Sequence, residues 1–185
     1  MISEPWEFDE ARALFEEQID WARKSHRKLP SRIEFGAMLE VPALAEVLDL
    51  LLPKIDFLSI GTNDLTQFLF AADRADPRLA ERYDWLSPAI LRFLRRVSSQ
   101  AREAGIPVRV CGEMGGRPLE AMALIGLGIE QFSITPAAIL PIKAMVLSLH
   151  AARIRSRVEQ LLEKPPANMR KALSEWARRH KVAIG

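Results

Sequence analysis

Cysteine is almost missing from this sequence, with Cys111 the only one in 185 residues. A single thiol cannot build an internal disulfide framework, and such sparing use fits a reducing, cytoplasmic setting. No apolar run reaches the roughly 20 residues that a membrane-spanning helix needs, so no membrane role is expected. The opening Met1-Ile2-Ser3-Glu4-Pro5-Trp6 does not have the basic-then-apolar order of a secretory signal. There is no low-complexity segment and no nucleic-acid recognition motif, so a nucleic-acid partner is not expected. Histidine is also scarce. His26, His150 and His180 lie on polar stretches and are read as surface residues, without the small-residue and glycine context of a phosphorylated histidine.

Against these absences stand 49% hydrophobic residues, enough for a sizeable core in one domain with a short appendage. The net charge of +2 is unevenly spread. From Ala151 onward nine Lys/Arg face three Glu, a balance of +6 that leaves −4 for the first 150 residues.

Hydrophobic periodicity predicts helices over 8–27, 42–52, 86–104, 119–127 and 138–151, and a helical segment from Thr62 to about residue 72. Apolar runs predict strands over 33–39, 55–60, 106–111 and 130–134, with a strand remnant at Met1-Ile2. A polar connection spans 73–84, and Gly112 to Gly116 reads as a turn. Two further helical patterns, 154–163 and 168–180, are split by Pro165-Pro166. Their apolar residues are helically spaced between solvated charges, although a basic tail also fits an acidic partner.

Strand–helix alternation repeated four times argues for parallel strands joined by right-handed crossovers. A full (β/α)8 barrel takes about 250 residues. The expected fold is therefore α/β: residues 1–150 form about half of such a barrel, followed by a basic helical tail over 151–185. A small open-sheet domain is the alternative. The half barrel reads as a piece of a larger protein.

The polar groups that directly follow the strands are Glu40, then Asn63 and Asp64, then Cys111 with Glu113, then Thr135. In parallel α/β folds that edge is where ligands bind. A carboxylate there can hold a hard cation, and an amide at a helix start can hold an anionic oxygen. Each residue also has a plainer reading: Asn63 or Asp64 as an N-cap, Glu40 as a loop acid, Arg74 in a surface ion pair, Cys111 as a small buried hydrophobe, and Glu113 as a structural loop acid.

The runs Gly36-Ala37-Met38-Leu39-Glu40-Val41-Pro42-Ala43, Asp56-Phe57-Leu58-Ser59-Ile60-Gly61-Thr62-Asn63-Asp64-Leu65-Thr66-Gln67, Ala71-Ala72-Asp73-Arg74 and Cys111-Gly112-Glu113-Met114 resemble the phosphoenolpyruvate-utilising enzymes. The resemblance covers roughly residues 1–149. It is closest to the enzyme I branch of the bacterial phosphotransferase system, and the tail is similar to that of its nitrogen-related paralogue. It implies a barrel that binds phosphoenolpyruvate and Mg²⁺ and passes the phosphoryl group to a histidine on a separate swivelling domain. The eventual acceptor would be the phosphocarrier protein HPr or its nitrogen-related homologue, and the protein would be a homodimer.

Carried onto this sequence, Glu40 and Asp64 would be the metal ligands, Asn63 and Arg74 would hold the substrate phosphate with Asp64 beside them, and Cys111 would protonate the enolate to pyruvate. The histidine domain and the arginines of the other half barrel are not in this sequence, so the chain alone is expected to be inactive. Two positions depart from the family pattern: Arg117 stands where an acid is usual and Trp85 where a proline is usual. A pyruvate phosphate dikinase or phosphoenolpyruvate synthase shares the core motifs, and a non-catalytic dimerisation module is the reading from another class.

Overall fold

A computed structural model of the chain describes residues 1–80 and 83–185. The strands are β1 (Gly36–Leu39), β2 (Phe57–Gly61), β3 (Val108–Cys111) and β4 (Gln131–Ser133). They form one all-parallel sheet in the order β1-β2-β3-β4, so each crossover returns to the adjacent place. The helices are α1 (Pro5–Lys24), α2 (Pro42–Glu46), α3 (Leu48–Leu51), α4 (Thr62–Phe70), α5 (Pro77–Ala80), α6 (Pro88–Glu103), α7 (Pro118–Gly126), α8 (Ile139–Ser148), α9 (Ala151–Glu163) and α10 (Met169–Arg179). This is the architecture of a partial (β/α) barrel with a helical C-terminal region, as the alternation predicted.

Local chemistry explains most boundaries. Proline opens α1, α2, α6 and α7, where its missing N–H costs nothing. Ser87 Oγ accepts from the Ile90 amide at 3.3 Å to start α6, and Asn168 Oδ1 accepts from the Lys171 amide at 2.8 Å to start α10. Glu7 in the first turn of α1 accepts from the Ser3 and Glu4 amides at 2.7 and 2.8 Å. Those bonds, the Ser3 amide first, hold its carboxyl below the usual range.

Several sequence expectations are corrected. Residues 33–35 lie outside the sheet. The Phe35 amide donates to the Asp56 carboxylate at 2.7 Å instead of entering the ladder, and pairing starts at Gly36 opposite Phe57. Met1-Ile2 is not a strand; the neighbouring Ser3 is taken up in the α1 cap. The single helix expected over 42–52 breaks at Val47, whose φ of −120° and ψ of 24° lie outside the helical range. Pro53 then tightens the chain into a 3-10 turn over Leu52–Lys54. The expected polar connection 73–84 contains the short α5, and its Glu81 and Arg82 lie outside the described residues.

The two faces of the sheet differ. Ala37, Leu39, Leu58, Ile60 and Val110 are buried beneath the helices. The alternate residues, as the period-two pleat requires, face the other side. Met38 and Gln131 there are exposed and Arg109 is half-buried; its Nε donates to Gln131 Oε1 at 3.0 Å, and its guanidinium lies 4.4 Å from the centre of the Phe57 ring.

On the helical side α7 is buried along Leu119 to Gly126. Apart from Glu120 this stretch is apolar, so it belongs inside, and α8, α9 and α10 pack around it. Gly126 permits the closest of these contacts: a Cβ there would come within 2.6 Å of Val158 Cγ2 on α9. No single helix among the described residues is long and apolar enough to cross a membrane.

Candidate functional site

Parallel register lines up the strand ends. Ile60 pairs with Leu39 and with Val110, and Gly61 pairs with Cys111, which in turn pairs with Ser133. Glu40, Gly61, Cys111 and Ser133 therefore form one row along the C-terminal edge of the sheet. Glycine at 61 leaves room for the neighbouring acid, since a Cβ there would lie 3.1 Å from Glu40 Oε2. Helix α4 starts from the next residue and carries Asn63 and Asp64 in its first turn, where the free amides and the helix dipole favour negative charge.

Cys111 is half-buried, with its thiol donating to the Ile60 carbonyl at 3.4 Å and accepting from Ser59 Oγ at 3.5 Å. The Cys111 carbonyl accepts from Thr62 Oγ1 at 3.2 Å, which ties the end of β3 to the start of α4. Gly112 follows with φ +103°, where a Cβ would come within 2.9 Å of Thr62 Oγ1 and 3.2 Å of Asn63 Oδ1. Only glycine suits that crossing.

Asn63 Oδ1 is buried and has no hydrogen-bond partner among the described residues. A buried acceptor left open costs about 1–3 kcal/mol and calls for a donor or a cation. Asp64, half-buried, meets Arg74 Nη1 at 3.1 Å. The Arg74 amide in turn donates to Gln67 Oε1 at 3.2 Å, so α4 holds the arginine by both its side chain and its backbone.

Asn63, Arg74, Glu113 and Arg117 line one open cleft of about 790 Å³. Arg117 lies 4.8 Å from the centre of the Trp85 ring, so the two family departures rest on each other, and Arg117 is 3.8 Å from Glu113. Thr135 follows β4, and its carbonyl accepts from the Ala138 amide at 3.0 Å to start the 3-10 turn over Pro136–Ala138. The three histidines are exposed.

The oxygen-only donor set of Glu40, Asp64 and the open Asn63 Oδ1 suits a hard cation such as Mg²⁺, which needs few protein ligands when substrate and water supply the rest. Among the described residues no three His, Cys, Asp or Glu converge on one point.

Sequence reasoning missed Arg170, which reaches the same cleft from α10. Its Nε and Nη2 donate to Asp84 Oδ2 and Oδ1, each at 2.7 Å, and Nη2 also donates to Glu120 Oε1 at 2.5 Å. Burial alone would push the Asp84 carboxyl up. The bonds from Arg170 and the Leu86 amide, with the Arg170 and Arg117 charges, outweigh it and hold the group below the usual range. The Asp84 bond likewise raises Arg170 above its ordinary value. No local pattern marks this residue, because its partners lie 86 and 50 positions away.

Among relatives, the phosphoenolpyruvate-protein phosphotransferase of Cupriavidus necator is 40% identical over 186 residues, covering 96% of this chain and 30% of that protein. The phosphoenolpyruvate-protein phosphotransferase of Bacillus subtilis is 37% identical over 162 residues, covering 88% of this chain and 28% of its own length. The protein of Escherichia coli named phosphoenolpyruvate-dependent phosphotransferase system is 37% identical over 170 residues, covering 88% of this chain and 22% of its own. The chain thus spans less than a third of the length of these relatives. The family described as PEP-utilising enzyme, PEP-binding domain matches residues 1–151, and the chain belongs to that family.

Proposed function

We propose that this chain supplies the substrate-binding half barrel of a phosphoenolpyruvate-protein phosphotransferase. In this reading Arg74 and Asn63 bind the phosphate of phosphoenolpyruvate, while Glu40 and Asp64 hold Mg²⁺. When bound, Mg²⁺ offsets the negative charge on the substrate oxygens. Arginine's planar fork suits the phosphoryl group. Arg74 Nη1 pairs with Asp64 at 3.1 Å, and its remaining guanidinium donors would be available to the phosphate.

The phosphoryl group passes to a histidine of a separate domain. The bond between phosphorus and the bridging oxygen breaks, its electron pair stays on that oxygen, and an enolate results. The methylene carbon of the enolate takes the proton of Cys111 Sγ, giving pyruvate and a thiolate that the Ser59 hydroxyl stabilises. From the histidine the group goes on to HPr or its nitrogen-related homologue, in the cytoplasm.

The observation that carries this reading is the open Asn63 Oδ1 beside the Asp64–Arg74 pair at the C-terminal edge of a parallel sheet. The names of the relatives support the substrate. A homodimer is part of the proposal, supported by exposed Leu140 and Leu147 on α8 and by the two outer strands of the sheet.

Calorimetric titration of the chain with Mg²⁺ and phosphoenolpyruvate tests it. We expect binding that requires Mg²⁺, is lost in Asp64→Ala and survives in Cys111→Ala, with no pyruvate released by the chain alone. Binding indifferent to Asp64, or pyruvate production without the histidine domain, would sink the reading.

A further inference from the structure

The described residues on either side of the connection between α4 and α6, 71–76 and 83–87, are each held by side-chain bonds. At its near end Gln67 of α4 accepts from the Arg74 amide at 3.2 Å. At its far end Arg170 grips Asp84 through two bonds of 2.7 Å, in the fork-on-carboxylate geometry that fixes orientation as well as distance. Asp84 passes the constraint along the backbone. Its Oδ1 accepts from the Leu86 amide at 2.9 Å and its carbonyl accepts from the Ser87 amide at 2.9 Å. Leu86 is fully buried, and Ser87 caps α6.

The other hand of Arg170 is equally committed. Glu120 is 2% exposed and receives Nη2 at 2.5 Å. A carboxyl buried that deeply is costly to leave without its partner. Glu120 belongs to the first turn of α7, which follows directly on the segment carrying Cys111 and Glu113. One guanidinium therefore joins the loop of Arg74, the helix after Cys111 and the C-terminal α10. With two carboxylates already on it, Arg170 has no charge to spare for an anion in the cleft.

We propose that Arg170 is a positioning residue: by holding Asp84 beside Glu120 it fixes residues 83–87 on the wall of the cleft that Arg74 also lines, and so sets the space in which Arg74 meets the ligand. The C-terminal helix is then part of the machinery of the cleft. The proposal rests on the phosphoenolpyruvate reading above for the identity of the ligand, but not for the clamp itself.

The test separates the clamp from the stability of the buried pair. Arg170→Gln leaves the buried Glu120 carboxyl without its partner and lowers the melting temperature whatever else Arg170 does. The double variant Glu120→Gln/Arg170→Gln removes both charges and is expected to melt close to the unaltered chain. Its affinity for phosphoenolpyruvate in saturating Mg²⁺ is nevertheless expected to fall about tenfold or more, since small misplacements of a binding group are costly. Its Leu86 amide is expected to exchange with solvent at least about tenfold faster, reporting the freed loop.

Arg170→Lys keeps a charge beside Glu120 but cannot bridge both Asp84 oxygens, so it should also bind weakly while remaining folded. Affinity and Leu86 exchange unchanged in the double variant and in Arg170→Lys would overturn the proposal. If the unaltered chain does not bind Mg²⁺-phosphoenolpyruvate, the substrate reading falls. Leu86 exchange in the same variants then still decides whether Arg170 fixes the loop.

Discussion

Helices α7 and α8 are both almost wholly apolar, yet they end in opposite surroundings. The α7 segment Leu119–Gly126 is buried on every side, whereas α8 buries Ile142 and Met145 and leaves Leu140 76% and Leu147 79% exposed. The two faces of the sheet repeat the contrast, one sealed by aliphatic residues and the other holding Met38, Arg109 and Gln131. All-parallel sheets ordinarily have both faces covered. Stability is thus concentrated on one side of the molecule. The cleft sits on the edge between the sealed side and the open one, where backbone ends and polar side chains are still available to a ligand.

The largest test of this division is Leu124→Ala in α7. Leu124 is fully buried, and its truncation should cost about 2–5 kcal/mol. That is a large share of the roughly 5–15 kcal/mol that holds a domain together. Urea unfolding followed by circular dichroism would measure it. A cost below about 1 kcal/mol would mean that α7 is not the centre of the sealed side.

A smaller effect is expected on the rim from Gly112→Ala. A Cβ at φ +103° would press on Thr62 Oγ1 and Asn63 Oδ1, with strain of about 1–3 kcal/mol. Because the pressure falls on Asn63, ligand affinity should drop along with stability. Unchanged titration with Mg²⁺-phosphoenolpyruvate would contradict the close crossing of β3 and α4.

The smallest expected effect is that of acid on the clamp between the two sides. The Asp84 carboxyl lies below its usual range in the folded chain. The folded state therefore binds fewer protons than the unfolded chain near the ordinary carboxylate value. The Asp84 contribution is complete above about pH 4 and fades as the pH falls through the lower folded value. Asp84 and Arg170 are both more than a third exposed, which keeps the contribution under about 1 kcal/mol. Thermal melts between neutral and strongly acidic pH should fall more steeply for the unaltered chain than for Asp84→Asn. Parallel curves would remove Asp84 from the account.

Much of the fold was legible in the sequence, since periodicity and turn chemistry are local. The strands after Ile55 and Ile106, the proline-led helices and the glycine stop at Gly105 follow from residues within a few positions of one another. The misses have identifiable causes, one of them across the sheet. The Asp56 carboxylate captured the Phe35 amide, and Val47 broke a helix that its apolar neighbours would have continued. Asn63 and Arg74 line one cleft and Asp64 pairs with Arg74, whereas Glu40 and Cys111 stand in the row of strand ends and do not line that cleft. The resting of Arg117 on Trp85 was not legible. Neither residue has a pattern that names the other.

What the sequence determined by itself is the order of elements and the kind of residue that follows each strand, because pleat, helix period and capping act over a handful of positions. The tertiary structure alone decided which apolar helix became the core and that Arg170 would join Asp84 to Glu120. Those outcomes depend on surfaces brought together from 50 and 86 residues apart, and no short stretch of chain carries that distance.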